Sequence, residues 1–307
     1  MIRFLIIGPG AMGCLFAARL RRAGNEVTLL DYKKDRAEEI SRKGLFVEGI
    51  SGDYSVSVPV IYGNISFDPD FILVCVKSTK TEEAVKSLAP VLPARSFVVT
   101  LQNGLGNITV LEKFFGKERV LGGVTAEGAT LLGWGRIRHA GKGSTTIGPA
   151  GGPEGPVSQL IDAFNNAGFK TSAANNVEEL IWGKLIINVG INALAALTGL
   201  RNGRLPDMEW TGWIMEQAVR EAESVARAKN IRLPFPDPLD RVIEVCRDTA
   251  GNVASMLQDV RNKKITEVAF INGAIVREGD LMGIPTPVNR TLASLVSTIQ
   301  ETYDEKD

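Results

Sequence analysis

A glycine-rich turn, Gly8-Pro9-Gly10-Ala11-Met12-Gly13, constrains the fold more than any other feature of the 307-residue sequence. The segment before it, IRFLII at residues 2–7, predicts a strand buried on both faces. Residues 11–23, which follow, carry apolar side chains at helical spacing. The pattern G-x-G-x-x-G is weak evidence alone, but between a strand and a helix it is typical of dinucleotide-binding domains.

Each glycine of this turn has a separate physical use. Gly8 permits the tight turn, Gly10 lets the backbone approach a pyrophosphate, and Gly13 lets the helix pack closely on the strand. Ala11 and Met12 lie in the first turn of the predicted helix, where free N–H groups and a partial positive charge favour an anion. We therefore predict that these five residues bind the cofactor. The alternative is a turn that binds nothing.

The type of dinucleotide is left open by the residues after the second predicted strand. Asp31 lies at its end, 18 residues after the last glycine of the turn. A carboxylate there can accept hydrogen bonds from both adenosine ribose hydroxyls and repel a 2′-phosphate, which indicates that NADH is usable. Lys33, Lys34 and Arg36 could hold a 2′-phosphate if Asp31 turns away, or could simply form a solvated helix start.

The first half of the chain alternates strands and helices, a pattern that predicts a parallel doubly wound sheet of the Rossmann type. Between residues 120 and 147, additional strands are expected near a sheet edge, with antiparallel pairing as one option. The other predicted strands are residues 26–30, 71–76, 97–101 and 169–171, and the predicted helices are 81–92 and 157–167.

After residue 174 the pattern becomes helical throughout. The predicted helices are residues 177–200, 210–230, 239–250, 253–263, 266–282 and 288–303. We therefore predict an α/β Rossmann domain over residues 1–174, with a turn-rich connector at 149–155, and an all-α domain over residues 175–307. A cleft between two such domains is a common place for a small-molecule site.

Composition excludes several classes of function. Lys plus Arg and Asp plus Glu number 35 each, a balance that argues against a general nucleic-acid binder. One histidine and three widely spaced cysteines make a zinc site unfavourable and suit a reducing compartment. The longest uncharged stretch, residues 185–200, is shorter than the ~20 residues of a membrane span. We expect a soluble cytoplasmic protein without a nucleic-acid or membrane partner, in which His139 is structural because no acid neighbours it in sequence.

Three polar residues, Lys184, Asn188 and Asn192, interrupt an apolar helical segment at steps of four. Each step advances about 40° around a helix, so the three side chains share one face. Because burying them without partners is costly, this stripe needs either a hydrogen-bonding neighbour or a wet cavity. It is a candidate substrate site, with a polar contact to a neighbouring domain as the alternative.

A second polar stripe consists of Asn252, Ser255 and Asp259, and Glu267 follows eight residues later. Each member has a structural alternative. Asp259 could form a salt bridge or a cap, and Ser255 could be a helix-packing hydroxyl. Glu267 could be an acid that stabilises a helix N-terminus.

Several longer segments occur together in one known family. They are GPGAMG, VKSTKTEEA around Lys77, LQNGLG around Asn103, HAGKG at 139–143, WGKLIINVGINALAAL, NVASMLQDVRNKKITEVAFINGAIV and GIPTPVN. On these segments the chain resembles the ketopantoate reductase (2-dehydropantoate 2-reductase) family over nearly its whole length. The last three together are quite specific, whereas a generic Rossmann dehydrogenase would share only the first.

The resemblance implies roles for individual residues. Lys184 resembles the family's general acid, and Glu267 its carboxylate, which binds the substrate hydroxyl or assists the lysine. Asn103 corresponds to the residue that bridges cofactor and substrate, and Lys77 to a cofactor-side lysine. The residues that correspond to substrate contacts are Asn188, Asn192, Asn252 and Ser255.

The resemblance also implies a reaction, hydride transfer from NADPH or NADH to the C2 ketone of 2-dehydropantoate in pantothenate biosynthesis. Family members that use NADPH tend to carry an arginine just after the second strand, where this chain has Asp31-Tyr32. Alternatives are a reductase of another small 2-keto acid or imine, and a non-catalytic nucleotide sensor. Whether the protein forms a homodimer stays an open question, because the helix at 210–230 could be part of the core or of a dimer surface.

Overall fold

The structure is a computed structural model that describes residues 1–63, 67–151 and 155–305. The predicted connector falls partly on residues 152–154, which lie outside the described residues. The chain divides into two compact units. The first consists of Met1–Gln102 and Asn107–Val177, and the second of Asn103–Gly106 and Glu178–Asp307. The tetrapeptide Asn103–Gly106 therefore belongs to the second unit, although its neighbours in sequence belong to the first.

The first unit is an α/β fold. Its helices are α1 Ala11–Arg22, α2 Lys34–Lys43, α3 Thr81–Lys86, α4 Asn107–Phe115 and α5 Val157–Asn166. Its strands are β1 Arg3–Ile7, β2 Glu26–Asp31, β3 Leu45–Gly49, β4 Tyr54–Val56, β5 Val60–Tyr62, β6 Phe71–Val74, β7 Phe97–Thr100, β8 Val120–Thr125, β9 Gly128–Gly133, β10 Arg136–Gly141, β11 Ser144–Pro149 and β12 Lys170–Ala173.

The predicted doubly wound sheet is confirmed. In the described residues it has eight strands in the order β12-β11-β8-β7-β6-β1-β2-β5. Each pair of neighbours in the part β8-β7-β6-β1-β2-β5 is parallel. Alternate residues of β1 enter different apolar clusters, with Phe4 and Ile6 in one and Leu5 and Ile7 in the other. Both faces of the sheet are therefore covered, which is why β1 is apolar throughout its buried part.

The strands predicted between residues 120 and 147 are also confirmed, and β11 pairs antiparallel with β8. A second sheet, with strand order β4-β3-β10-β9 in the described residues, was not predicted. Its strand β10 pairs in parallel with β3, which lies about ninety residues earlier in the chain. Such distant pairing leaves no local signal, and β4 is only three residues long.

The predicted helix over residues 81–92 is wrong in its second half, because α3 ends at Lys86. Pro90 explains the difference: proline has no N–H to donate, and its ring disfavours helical geometry at Ala89. Leu88 and Leu92 are nevertheless buried, so the apolar spacing reflected packing of turns rather than a continuous helix.

The second unit is helical, as predicted. Its helices are α6 Val177–Thr198, α7 Glu209–Ala228, α8 Pro238–Asp248, α9 Ser255–Arg261, α10 Asn272–Met282 and α11 Pro287–Glu301. Except for α10, each end lies within two residues of the prediction. Helix α6 is long and apolar enough to cross a membrane by length and composition alone, but most of it is buried inside the unit, as expected for a core helix.

The predicted helix over residues 266–282 is wrong in its first turn. Val268–Phe270 forms a 3-10 turn, Ile271 has non-helical angles (φ −111°, ψ −94°), and α10 begins only at Asn272. The carbonyl oxygen of Phe270 accepts the N–H of Leu105 at 3.0 Å. That acceptor is therefore used by the tetrapeptide Asn103–Gly106, and Glu267 precedes a short turn rather than a helix.

Candidate active site

The glycine turn after β1 has two positions that the protein's own packing requires to be glycine. Gly8 has φ +100°, and a Cβ there would lie 2.8 Å from Cγ1 of Val76. A Cβ at Gly13 would lie 2.1 Å from the carbonyl oxygen of Gly8. These two glycines close the turn and bring α1 against the strand.

Gly10 is different, because a Cβ there would come no closer than 4.0 Å to a protein atom, the carbonyl oxygen of Cys75. Its small size is thus not demanded by packing, and the space beside it suits a ligand. Gly10 is also the N-cap of α1, which has no side-chain cap and no acidic residue in its first turn. The N–H groups that begin the helix at Ala11 and Met12 therefore fit a pyrophosphate.

The other candidate cofactor residues extend from the same edge of the sheet. β1 lies between β2 and β6, and all three run in parallel. The turn at Gly8, the carboxylate of Asp31 and the half-buried Lys77 each follow or end one of these strands. The N–H of Gly8 donates to the carbonyl oxygen of Leu30 at 3.0 Å. Asp31 is therefore next to the glycine turn, as a ribose-binding group would be.

The Asp31 carboxylate, however, is already engaged. Its side chain has no exposed surface, and Arg36 donates to Oδ2 from Nε at 2.5 Å and to Oδ1 from Nη2 at 2.6 Å. The backbone N–H of Lys33 donates to Oδ1 at 3.0 Å. The hydrogen bond to Asp31 raises the pKa of Arg36 above its usual range. The sequence placed both residues here but did not reveal that they pair.

In the second unit, α6 places Lys184, Asn188 and Asn192 on one face, because they are four residues apart on a regular helix. The Nδ2 atoms of Asn188 and Asn192 are buried and have no hydrogen-bond partner among the described residues. An unsatisfied buried donor costs about 1–3 kcal/mol. Two such donors on one stripe could bind a ligand that carries hydrogen-bond acceptors.

Lys184 is half-buried on this stripe. Desolvation by burial lowers the pKa of its ammonium group to about 8, while the negative charge of Glu267 acts in the opposite direction. Glu267 is itself buried. The lysine and the carboxylate that sequence reasoning selected from distant segments thus interact electrostatically.

Asn103 reaches the same place through the tetrapeptide Asn103–Gly106. Its Nδ2 donates to Oε2 of Glu267 at 3.5 Å, a long hydrogen bond. Gly104, at φ +83°, would place a Cβ 2.4 Å from the carbonyl oxygen of Phe270, so only glycine allows this close approach. Asn103, Glu267 and Lys184 are therefore brought together in the second unit.

Asn252 and Ser255 lie near the start of α9, and both side chains are exposed. The N–H of Asn252 donates to the carbonyl oxygen of Thr249 at 2.8 Å, and its own carbonyl accepts the N–H of Asn202 at 3.2 Å. This backbone pairing fixes the turn that precedes the helix. Their contact with substrate stays a prediction.

His139, in the first unit, has an acidic partner that the sequence did not suggest. Its Nε2 lies 2.6 Å from Oε2 of Glu127 and 3.1 Å from the carbonyl oxygen of Gly141, and both side chains are fully buried. The antiparallel pairing of β9 with β10 brings these residues together across twelve positions. Looking for acids next to His139 in the sequence could not find this partner, whereas predicting the register of the β9–β10 hairpin would have placed the two residues close together.

Comparisons with known proteins bear on both units. Residues 4–152 match the family model described as ketopantoate reductase PanE/ApbA, and residues 176–300 match its C-terminal model. The 2-dehydropantoate 2-reductase of Archaeoglobus fulgidus is 36% identical over 303 residues, which cover 97% of this chain and 98% of that protein.

Solved structures extend the similarity. A PanE/ApbA family ketopantoate reductase from Ralstonia eutropha JMP134 superposes with a TM-score of 0.90 at 34% identity, covering 98% of this chain and 99% of that chain. A ternary structure of D-mandelate dehydrogenase with NADH and anilino(oxo)acetate gives a TM-score of 0.91 at 27% identity, covering 99% and 100% of the two chains.

Proposed function

The chain belongs to the ketopantoate reductase family, and from that membership we propose that it acts as a 2-dehydropantoate 2-reductase. It is a nicotinamide-dependent oxidoreductase that reduces the C2 ketone of 2-dehydropantoate to the alcohol of pantoate, a step of pantothenate biosynthesis. The observation that carries the assignment of the site is the half-buried Lys184, with a pKa near 8, beside Glu267.

The reduced nicotinamide, when bound, supplies the hydride that adds to C2. Lys184 stabilises the negative charge that develops on the ketone oxygen and donates a proton to it. Its lowered pKa suits this task, since the group is mostly protonated at neutral pH yet gives up its proton more readily than an exposed lysine. Glu267 holds the charged amine in place and accepts a hydrogen bond from the substrate hydroxyl.

Substrate orientation falls to the amide groups around the lysine. The unpaired Nδ2 donors of Asn188 and Asn192 suit the carboxylate and carbonyl oxygens of a 2-keto acid. Asn103, which comes from a different segment, donates a hydrogen bond to Glu267, the carboxylate that interacts with the lysine. Ser255 and Asn252 would bind the distal part of the substrate from the start of α9. Fixing the keto acid in this way directs C2 toward the hydride donor.

For the cofactor, we propose that the glycine turn holds the pyrophosphate and that Lys77 lies on the cofactor side. Either NADPH or NADH fits the turn, because both carry the same pyrophosphate. The Asp31–Arg36 pair lies where the two cofactors differ, at the adenosine ribose.

A second candidate, a reductase of another 2-keto acid, is favoured by the similarity to D-mandelate dehydrogenase. That enzyme was solved with anilino(oxo)acetate, in which the oxo carbon next to the carboxylate carries an anilino group where 2-dehydropantoate carries its branched hydroxyalkyl group. The same lysine and carboxylate would serve either substrate, because each reduction converts a ketone next to a carboxylate into an alcohol.

The deciding experiment follows nicotinamide oxidation spectrophotometrically with 2-dehydropantoate and with phenylglyoxylate, each with NADPH and NADH. A higher kcat/KM for 2-dehydropantoate supports the proposed function. Preference for phenylglyoxylate would favour the second candidate, and cofactor binding without turnover would favour a nucleotide sensor. We place the activity in the cytoplasm, since Cys14, Cys75 and Cys246 are free thiols.

A further inference from the structure

We propose that a cavity at the C-terminal end of α1 binds a phosphate group, either inorganic phosphate or the phosphate of a small metabolite. The cavity has a volume of about 290 Å³, and its polar lining comes from Arg19, Arg22, Ser51, Tyr54 and Asn166. All five residues belong to the first unit. The glycine turn lies at the other end of α1, which is about 18 Å long because it has 12 residues. The proposed site is therefore distinct from the pyrophosphate site of the turn.

The Arg19 guanidinium is fixed on one side and keeps most of its donors. Its Nε donates to the carbonyl oxygen of Ala167 at 2.9 Å, and its Cζ lies 4.6 Å from the ring centroid of Phe169. A Cβ at Gly168 would lie 2.2 Å from Nη2, so this glycine leaves the space that the guanidinium occupies. The N–H groups of Nη1 and Nη2 form no hydrogen bond with the residues that the structure describes. They are therefore available to a ligand.

Arg22, three residues later on the same helix, brings a second guanidinium to the cavity. Its Cζ lies over the ring of Tyr54 on β4, 3.9 Å from the ring centroid. A cation over an aromatic face is attracted by the ring, which restrains the guanidinium without using its N–H donors. Within the described part of the chain, the Arg22 side chain forms no hydrogen bond. Its planar fork of donors is thus positioned but unused.

The positive charge of this pair is not balanced by an acid. Residues three apart share a helix face, so the like charges of Arg19 and Arg22 repel each other. Neither forms an ion pair with a described residue, and Asp53, next to Tyr54 in sequence, instead accepts the N–H of Gly49 at 3.1 Å. Both arginines stabilise the dipole of α1 from its last turn, but that effect does not require them to line a cavity. An anion bound there would offset the repulsion.

The donors of the lining suit a phosphate better than a carboxylate. A phosphate monoester carries about −1.5 to −2 charges and three terminal oxygens, which two guanidinium forks and a hydroxyl can share. A single carboxylate needs only one fork. The hydroxyl comes from Ser51, whose buried Oγ has no hydrogen-bond partner among the described residues, so it can turn to a ligand without breaking a bond. A volume of about 290 Å³ is at the lower end for ligand pockets, which favours a small ligand over a dinucleotide.

The test is isothermal titration calorimetry of the full chain with inorganic phosphate, glycerol 3-phosphate and malonate, at a constant ionic strength of about 0.15 M. At least one of the two phosphates should bind at one site with a Kd below about 1 mM, and the tighter one identifies the source of the phosphate group. Malonate, a dianion without a phosphate, should bind more weakly. Each titration is repeated with saturating NADH, because a dinucleotide would displace phosphate from the glycine turn but not from the proposed site.

Substitutions locate the phosphate. Arg22→Gln should fold normally, because the side chain is exposed and has no hydrogen bond to lose, yet it should weaken phosphate binding about 10- to 100-fold. Arg22→Lys keeps the charge without the planar fork, so its loss should be smaller. Ser51→Ala should weaken binding about three- to tenfold at an unchanged Tm. Arg21→Gln is the matched control, because Arg21 is an exposed neighbour on the same turn that does not line the cavity.

Four results would overturn the inference: no binding of either phosphate with a Kd below about 1 mM, malonate bound as tightly as phosphate, phosphate displaced by NADH, or an unchanged affinity in Arg22→Gln. In each case the proposed function would survive, because it depends on the dinucleotide and the keto acid. A protein that binds phosphate in this cavity but reduces no keto acid would refute the proposed function alone.

Discussion

The pH dependence of the reaction offers a direct test of Lys184 as the proton donor. With a pKa of about 8, this group is roughly 90% protonated at pH 7, half at pH 8 and roughly 10% at pH 9. If its protonated form is required, kcat/KM for 2-dehydropantoate falls about tenfold from pH 7 to pH 9. An ordinary exposed lysine would give no fall in this range, because its pKa is about 10.4.

Substitutions sharpen this prediction. Lys184→Arg should remove the basic limb, because a guanidinium stays protonated throughout the range, and should slow turnover, because it rarely gives up a proton. Lys184→Ala should reduce kcat by about 10²–10⁴. Glu267→Gln removes the charge that raises the lysine's pKa, so its basic limb should move to lower pH. Lys229→Ala, which removes a partly buried lysine paired with Glu278 at 2.7 Å, is the matched control.

The assay records initial rates of nicotinamide oxidation at saturating cofactor over a range of pH, with circular dichroism to verify folding of each variant. Near-normal turnover in folded Lys184→Ala would refute the assignment of the donor. A basic limb that persists unchanged in Lys184→Arg would show that another group titrates.

Three further predictions follow from local geometry. Gly10→Ala should keep the wild-type Tm but weaken NADPH binding at least about tenfold in calorimetry, whereas Gly13→Ala, whose Cβ would meet a backbone oxygen, should lower Tm as well. Asn192→Leu removes a buried donor that has no partner among the described residues, so the free energy of unfolding in urea should stay the same or rise by as much as about 3 kcal/mol. The KM for the keto acid should rise. His139→Ala should lower the free energy of unfolding in urea by about 1–3 kcal/mol, because it leaves the buried Glu127 carboxyl without this hydrogen-bond partner. Adding Glu127→Gln should then cause a smaller extra loss, and full additivity would contradict the pairing.

The Rossmann sheet and the helical unit could be predicted because their signals are local. A glycine turn between a strand and a helix, and apolar residues at steps of two or of three and four, lie within one segment each. The second sheet could not be predicted, because β3 pairs with β10, a strand that lies far away in the sequence. The end of α3 before Pro90 depended on a single missing N–H donor. The start of α10 after Phe270 depended on a hydrogen bond from the distant Leu105.

The candidate site shows the same division. The stripe of Lys184, Asn188 and Asn192 is visible in sequence, since helical spacing alone puts these side chains on one face. The hydrogen bond from Asn103 to Glu267 joins residues 164 positions apart, which no periodicity can reveal. For Asp31, the sequence predicted the position at the end of β2. It did not predict that the carboxylate pairs with Arg36, five residues later.

The tetrapeptide Asn103–Gly106 limits how this gene can be recombined with those of its relatives. A chimera joined only at residue 177 would transplant the helical half without the loop that supplies Asn103 to Glu267 and the Leu105 N–H to Phe270. Exchanging the helical half intact thus requires a second, internal graft of four residues. Engineers who swap substrate specificities between such enzymes should move both pieces together.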